Sequence, residues 1–327
     1  MISNVKSIVI ITYFLITVYF CLIIIFNMTL KMRYLNTSRN LSLDDKIALE
    51  RIHSSRLVIN IICRDVPEDR IRQNIHILED LGSIFADYRI IVFENDSVLN
   101  TRETLQDCCE QNSRIKLLDC ELDGNYECRL NESNAIDDVI GNDHTKRVTK
   151  LARFRQKVFD EIKTNYSHFD YMLVFDIDLV VYMNTNDILS CFKTDDWGSV
   201  AAHSVMKKHF LTGFIYDNFA TWLIDEKYIT QNSNSHYYDY LSRMKIKLNV
   251  RFHKFKGASR MKVHSAFNGL CFYNLRHVIE SNCRYVDNQY NAMGECEHVT
   301  FARGLVNHGI PSYINFEWPV YVINEKN

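Results

Sequence analysis

From Arg56 onward the sequence alternates short β-type runs with runs of helical period, and this alternation narrows the fold more than any other feature. Leu57 to Ile62 is short, mostly apolar and rich in β-branched residues, which suits a strand covered on both faces. After the loop Cys63-Arg64-Asp65-Val66-Pro67, the stretch Glu68 to Phe85 carries Ile71, Ile75, Leu78 and Leu81 at helical spacing, with Ile77 and Ile84 widening the face. Tyr88 to Phe93 repeats the strand pattern and ends at Glu94-Asn95-Asp96-Ser97. A helix near Thr101–Cys109 and a strand over Arg114–Leu118 complete a βαβαβ run. Strands joined by crossover helices lie parallel, so the expected fold is α/β, with a mostly parallel central sheet and flanking helices.

Residues 120–146 are polar and irregular, which predicts a long loop or insertion. Val148, Leu151, Phe154, Val158, Phe159 and Ile162 then place a helix over 147–163. The apolar run Tyr171-Met172-Leu173-Val174-Phe175 follows and closes on Asp176-Ile177-Asp178. Beyond it the pattern loosens, with strands expected near Gly198–His203, Phe267–Tyr273 and Ile310–Ile314.

The acidic pair carries the chemistry. In an extended segment residues i and i+2 project to one side, so Asp176 and Asp178 would face one point. Paired oxygen ligands suit a hard divalent cation, Mn²⁺ or Mg²⁺, and such a cation suits a diphosphate. In an open α/β sheet, ligands gather outside the carboxyl ends of the strands. Loop 63–67, Glu94–Asp96 and Asp176–Asp178 all sit at such ends, so these polar loops are expected to line one crevice. Neither G-x-G-x-x-G nor G-x-x-x-x-G-K-[ST] occurs, which argues against a dinucleotide oxidoreductase and a P-loop nucleotidase.

Ser7 to Asn27 has no charged residue and is long enough to span a bilayer. Its length, and the lack of an A-x-A-like site after it, favour an uncleaved signal anchor over a cleaved leader. The expected organisation is a short tail over 1–6, a transmembrane anchor in the lipid bilayer over 7–28, a polar stem over 29–55 and a catalytic domain over 56–327. The stem is expected to be partly helical from Leu43 to Ile52. Lys31, Arg33 and Arg39 behind the anchor favour a cytosolic domain. The sequons at Asn36, Asn40, Asn95, Asn131 and Asn165 favour a lumenal one, in the Golgi or endoplasmic reticulum, and the lumenal side is the expectation adopted. Cys63, Cys108, Cys109, Cys120, Cys128, Cys191, Cys271, Cys283 and Cys296 lie outside the anchor, enough for up to four disulfides in an oxidising lumen. No Cys/His spacing fits structural zinc. A formal net charge of −2, with no basic aromatic-interleaved stretch, gives no sign of nucleic-acid binding.

Several segments together resemble a known family. Leu151-Ala152-Arg153-Phe154-Arg155-Gln156 is similar to an L-A-x-x-R-N helix, and Phe169 through Asp178 to the strand that runs into its acidic pair. Tyr216-Asp217-Asn218-Phe219-Ala220 resembles Y-D-T-F-A, Val263 through Gly269 resembles V-x-S-C-W-N-G, and Gly294-Glu295-Cys296 resembles S-E-C. The ordered set, over residues 147–321, resembles the fungal capsule-associated alpha-1,3-mannosyltransferases, glycosyltransferase family 69. The chain departs from that pattern at Gln156, Ala266-Phe267 and Glu297-His298.

The resemblance implies a GT-A-like nucleotide-diphospho-sugar transferase fold behind a transmembrane helix, and a retaining hexosyl transfer to a glycan or glycoconjugate acceptor. GDP-mannose is the first donor it suggests. Asp176 and Asp178 would hold the metal. A third ligand commonly comes from the C-terminal half in such folds, and His298, near the matched acidic motif, is the candidate chosen. Arg155, at the position of the family arginine, would clamp the diphosphate. Asn268-Gly269 would form a turn under the sugar, while Asp65 and Glu94 through Asp96 would touch base and ribose. Glu295 and Glu297 would orient or deprotonate the acceptor hydroxyl, although an acidic first helical turn is the more ordinary use of such a pair. Trp197, Trp222 and Trp318 read as core residues before sugar platforms. Rival expectations are a catalytically inactive glycan-binding protein of the same fold and a nucleotidyltransferase.

Overall fold

The computed structural model describes residues 41–119, 144–209, 212–215, 217, 219–225, 259–292 and 294–323. The expected anchor over 7–28, most of the stem, the polar loop at 120–143, Asn36, Asn40, Asn131, Cys120 and Cys128 lie outside these residues. Among the described residues no helix is long and apolar enough to cross a membrane.

Leu43–Asn327 forms one compact unit, beginning ahead of the boundary expected at residue 56. Helix α1 (Leu43–Ser54) opens it, with Asp44 and Asp45 in the first turn and Arg51 and His53 in the last, each sign complementing the helix dipole. Ala48 and Ile52 are fully buried against the first strand's layer, so the end of the expected stem is part of the domain.

The βαβαβ expectation holds: β1 (Arg56–Cys63), α2 (Glu68–Ser83), β2 (Asp87–Glu94), α3 (Thr101–Gln111) and β3 (Ile115–Asp119) follow in order. Helix α4 (His144–Asn165) leads into β4 (Tyr171–Asp176). These four strands are parallel in the order β3-β2-β1-β4. Next come β5 (Val180–Tyr182), a 3₁₀ helix (Thr185–Cys191), β6 (Ser199–His209), β7 (Thr212–Ile215), β8 (Arg260–Val263) and β9 (Leu270–Asn274). Short helices α5 (Leu275–Glu280) and α6 (Asn288–Ala292), then α7 (Glu297–Asn307) and β10 (Ser312–Ile323), finish the domain. The sheet continues past β4 as β9-β6-β10-β5, with β7 on β6 and β8 on β10. Strand β9 is antiparallel to both β4 and β6, so the sheet is mixed and its parallel run is interrupted once at its centre.

Alternation along the strands divides the core into two layers. Leu57, Ile59, Ile61, Ile90, Val92, Leu173 and Phe175 face α2, whose Ile71, Ile75, Leu78 and Leu81 are buried with them. Val58, Ile91, Phe93, Met172 and Val174 face the other side, where α4 supplies Ala152, Val158 and Ile162 and α7 supplies Val299, Phe301 and Leu305. Burying both faces explains why these strands read as apolar runs rather than as strict alternation. Trp197 and Trp318 are fully buried, as core residues. Among the described residues Cys63, Cys108, Cys109, Cys191, Cys271, Cys283 and Cys296 are free thiols, so the expected disulfide framework is not formed there. All but Cys109 are buried and pack as small apolar side chains, and burial pushes Cys191 and Cys283 up to about 12.

Candidate functional site

Register brings the expected loops to one edge. Cys63 pairs with Glu94, and Ile62 with Asp176, so β1, β2 and β4 all end at the same level. Helices α2 and α4 lie on opposite faces of the sheet, and β2 and β4 flank β1 on opposite sides, so the edge outside β1 and β4 is a topological switch point.

The acidic pair is built differently from the expectation. Strand β4 stops at Asp176, and residues 177–178 turn, so Asp178 is presented by a turn rather than by strand alternation. Helix α2 holds that turn from beneath. Asn74 Nδ2 donates to the carbonyls of Ile177 (2.7 Å) and Leu179 (2.8 Å), and Arg70 Nη1 donates to the Asp178 carbonyl at 3.1 Å. The Asp178 carboxylate is exposed. On the other flank the Asp176 N–H donates to Gly269 O at 3.0 Å. Asn268 and Gly269 take left-handed backbone conformations (φ 56° and 80°), which asparagine tolerates and glycine adopts freely. Asn268 Nδ2 donates to Ala202 O at 2.8 Å, tying the same turn to β6.

Asn74 is fully buried and bridges the carbonyls of Ile177 and Leu179. Asn74→Ala is expected to cost about 2–3 kcal/mol, since each orphaned buried acceptor costs about 1 kcal/mol or more. It should also weaken divalent-metal binding roughly tenfold, the usual scale for losing a group that orients a ligand. Urea unfolding and metal titration check the two effects separately.

The side chain of Asp176 points to the α4–α7 face and is only 19% exposed. Arg155 Nη2 donates to Asp176 Oδ1 at 2.8 Å, and Arg155 Nε to Glu297 Oε1 at 3.2 Å. The guanidinium also lies 5.0 Å above the Phe267 ring. Burial raises Asp176 to about 7; Arg155 opposes the shift, and Asp178 and Asp217 add to it. Asp217 is raised to about 6, chiefly by burial and then by Glu297, although its carboxylate accepts the Ala220 N–H at 3.1 Å. Burial disfavours the charge on Arg155, but Asp176 and Glu297 outweigh it and keep the guanidinium protonated. Arg153, its neighbour on α4, is exposed.

His298 stacks on Phe267, with ring centroids 3.7 Å apart and planes 13° from parallel. Neither ring nitrogen has a hydrogen-bond partner among the described residues, and Nε2 stands 3.6 Å from Glu297 Oε1. Burial, with Arg155 close by, drives its pKa well down, so the imidazole is neutral. Neutral imidazole is the ligand form, but this ring is buried against Phe267. Among the described residues no group of three or more His, Cys, Asp or Glu side chains is arranged to hold a metal ion.

Glu295 is fully buried, and Arg303 engages both its carboxylate oxygens, through Nε at 2.8 Å and through Nη2. Thr300 adds a hydrogen bond of 3.0 Å, so the group expected to meet an acceptor hydroxyl is instead an internal anchor for α7. Glu94, also fully buried, accepts from the Ser97 N–H (2.7 Å) and from Arg102 (2.9 Å). Asp65 accepts the Val98 N–H at 2.7 Å, and its own N–H donates to Ser97 Oγ at 3.0 Å. Asp65 stitches the loop after β1 to the loop after β2, Glu94 closes the β2 loop onto α3, and Asp96, half-buried at φ 53°, sits at the same edge.

The sequence reading missed Asp217 as an acid within reach of Asp176 and Glu297, although it had singled out the Tyr216–Ala220 segment. It also missed Asn74, whose signal was available: a polar residue between Ile71 and Ile75 on the apolar face of α2. Neither a protein-family model nor a curated protein sequence matches this chain.

Proposed function

We propose that this domain is a GT-A-like, metal-dependent glycosyltransferase that moves a hexose from a nucleotide-diphosphate sugar to a glycan acceptor. The observation that carries the reading is the Asp176–Asp178 turn at the switch point of the sheet, with the Asp178 carboxylate exposed and Asp176 beside it, largely buried and paired to Arg155.

The donor set fits Mn²⁺ or Mg²⁺. Such ions keep several waters and take one or two protein carboxylates plus substrate phosphates, rather than a complete protein cage. Asp176 and Asp178 would hold the ion, and a divalent cation would offset the burial that raises Asp176 and the smaller contributions that Asp178 and Asp217 add to it. When bound, the cation neutralises the departing nucleoside diphosphate. Asp176 is held in place by Arg155, and Asp178 by the backbone clamp from α2. Asp217, poised near 6, suits a group that binds or accepts a proton from an acceptor hydroxyl near neutral pH. Glu297 is paired to Arg155 and shapes the same pocket of charge. A retaining outcome and a mannosyl donor are what the resemblance adds.

The test is titration calorimetry with Mn²⁺ and a panel of nucleoside diphosphates, followed by turnover with GDP-mannose and other nucleotide sugars. Metal-dependent binding of one nucleoside diphosphate is expected, with that diphosphate released during turnover. Release of pyrophosphate would mark a nucleotidyltransferase, and binding without turnover an inactive glycan-binding protein. No metal-dependent nucleotide binding would end the enzyme reading.

We also propose that residues 7–28 anchor the protein in a Golgi or endoplasmic-reticulum membrane with the domain lumenal. Asn165 is exposed at the end of α4, whereas Asn95 is 5% exposed and its sequon's Ser97 is engaged by Asp65 and Glu94. In cells, Asn165→Gln is expected to remove one glycosidase-sensitive band shift and Asn95→Gln none. Full glycosidase resistance of the protein, with Asn165 unmodified, would favour the cytosolic side.

A further inference from the structure

Arg155 reaches the site from α4 and is 3% exposed. Its Nη2 bonds Asp176 and its Nε bonds Glu297, and the Phe267 ring lies against its plane. The remaining nitrogen, Nη1, has no hydrogen-bond partner among the described residues. A clamp for a diphosphate would present its fork to the opening, but this fork is turned toward the carboxylates.

The metal reading gives that geometry a consequence, and the inference rests on it. A divalent ion at Asp176 must share the carboxylate with the guanidinium or displace it, and either way two cations face each other across a few ångströms. A diphosphate arriving with the ion brings negative charge that cancels the repulsion. We propose that Arg155 is the internal counterion of the site, a positioning residue that lowers the affinity for the bare metal and so makes metal and nucleoside diphosphate bind cooperatively. Reciprocity follows from linkage: whatever factor the diphosphate adds to metal affinity, the metal adds to diphosphate affinity.

The experiment measures Mn²⁺ affinity calorimetrically with and without saturating GDP, in wild type, Arg155→Gln and Arg155→Lys. In wild type, GDP should tighten Mn²⁺ binding. In Arg155→Gln, Mn²⁺ alone should bind about tenfold tighter or more, and the enhancement by GDP should shrink correspondingly. Arg155→Lys keeps the charge and should stay within about threefold of wild type. If the glutamine variant is too unstable to purify, Arg155→Gln combined with Glu297→Gln removes one positive and one negative charge together. A smaller tightening is then expected, still beyond about threefold, because Arg155 bonds Asp176 directly and Glu297 bonds only Arg155. Unchanged or weaker Mn²⁺ binding in a folded glutamine variant overturns the inference while leaving the transferase reading intact. Absence of Mn²⁺ binding in wild type, with and without nucleotide, overturns both.

Discussion

Asp178→Ala should lower turnover by on the order of 10²–10³-fold, the scale of losing one group that stabilises transition-state charge. Its free energy of unfolding should move by no more than about 0.5 kcal/mol, as at other exposed positions. The two expectations come apart because of how the turn is made. What Asp178 contributes to the fold is its backbone carbonyl, bonded to Arg70, and alanine keeps that carbonyl. What it contributes to chemistry is an exposed carboxylate, and alanine removes it. Steady-state kinetics with urea unfolding of the same preparation decides the matter. A variant that turns over normally would take the acidic pair out of the mechanism.

Arg303→Ala is expected to destabilise the domain by about 3–5 kcal/mol, because it strands a carboxylate with no access to water. Glu295 is fully buried and relies on Arg303 for both oxygens, and Thr300 alone cannot replace that pairing. The guanidinium also packs over Tyr290 (4.0 Å to the ring centroid) and Trp222 (4.9 Å), contacts that alanine forfeits. Mn²⁺ and nucleotide affinities, measured where the variant is still folded, should equal those of wild type. Full stability with a collapse in turnover would instead return Glu295 to the reacting groups.

The five elements from β1 to β3 were legible from their patterning: Ile71, Ile75, Leu78 and Leu81 on α2, and apolar runs in β1 and β2. Strand β10 was recognised only to residue 314 because its ladder breaks there. Asn315 pairs with Ala202 and the next registered pair is Pro319 with His203, so residues 316–318 bulge out and hide the continuation. Helix α7 was legible only at its start, as the acidic first turn that Glu297 supplies. Glu297 through Ala302 are all buried, so no polar face marks a helical period. The antiparallel insertion of β9 left no local sign, since strand direction depends on the connections rather than on the strand.

At the site, the acidic pair was readable from its flanks, but the partners were not. Arg155 finds Asp176 at 21 positions' remove and Glu297 at 142, and no local rule chooses between them and a phosphate. Glu295 and Glu297 flank one cysteine and look interchangeable in sequence. The start of α7 separates them, turning Glu297 toward Arg155 and Glu295 toward Arg303.

The tip of β4 is gripped from two sides, by the Asn74 side chain beneath it and by the Gly269 carbonyl beside it. A segment braced this way has surrendered its conformational entropy during folding, before any ligand arrives. Association at this edge should therefore draw little on ordering of the acidic tip itself, and the amide proton of Asp176 should be among the slowest in the domain to exchange with solvent.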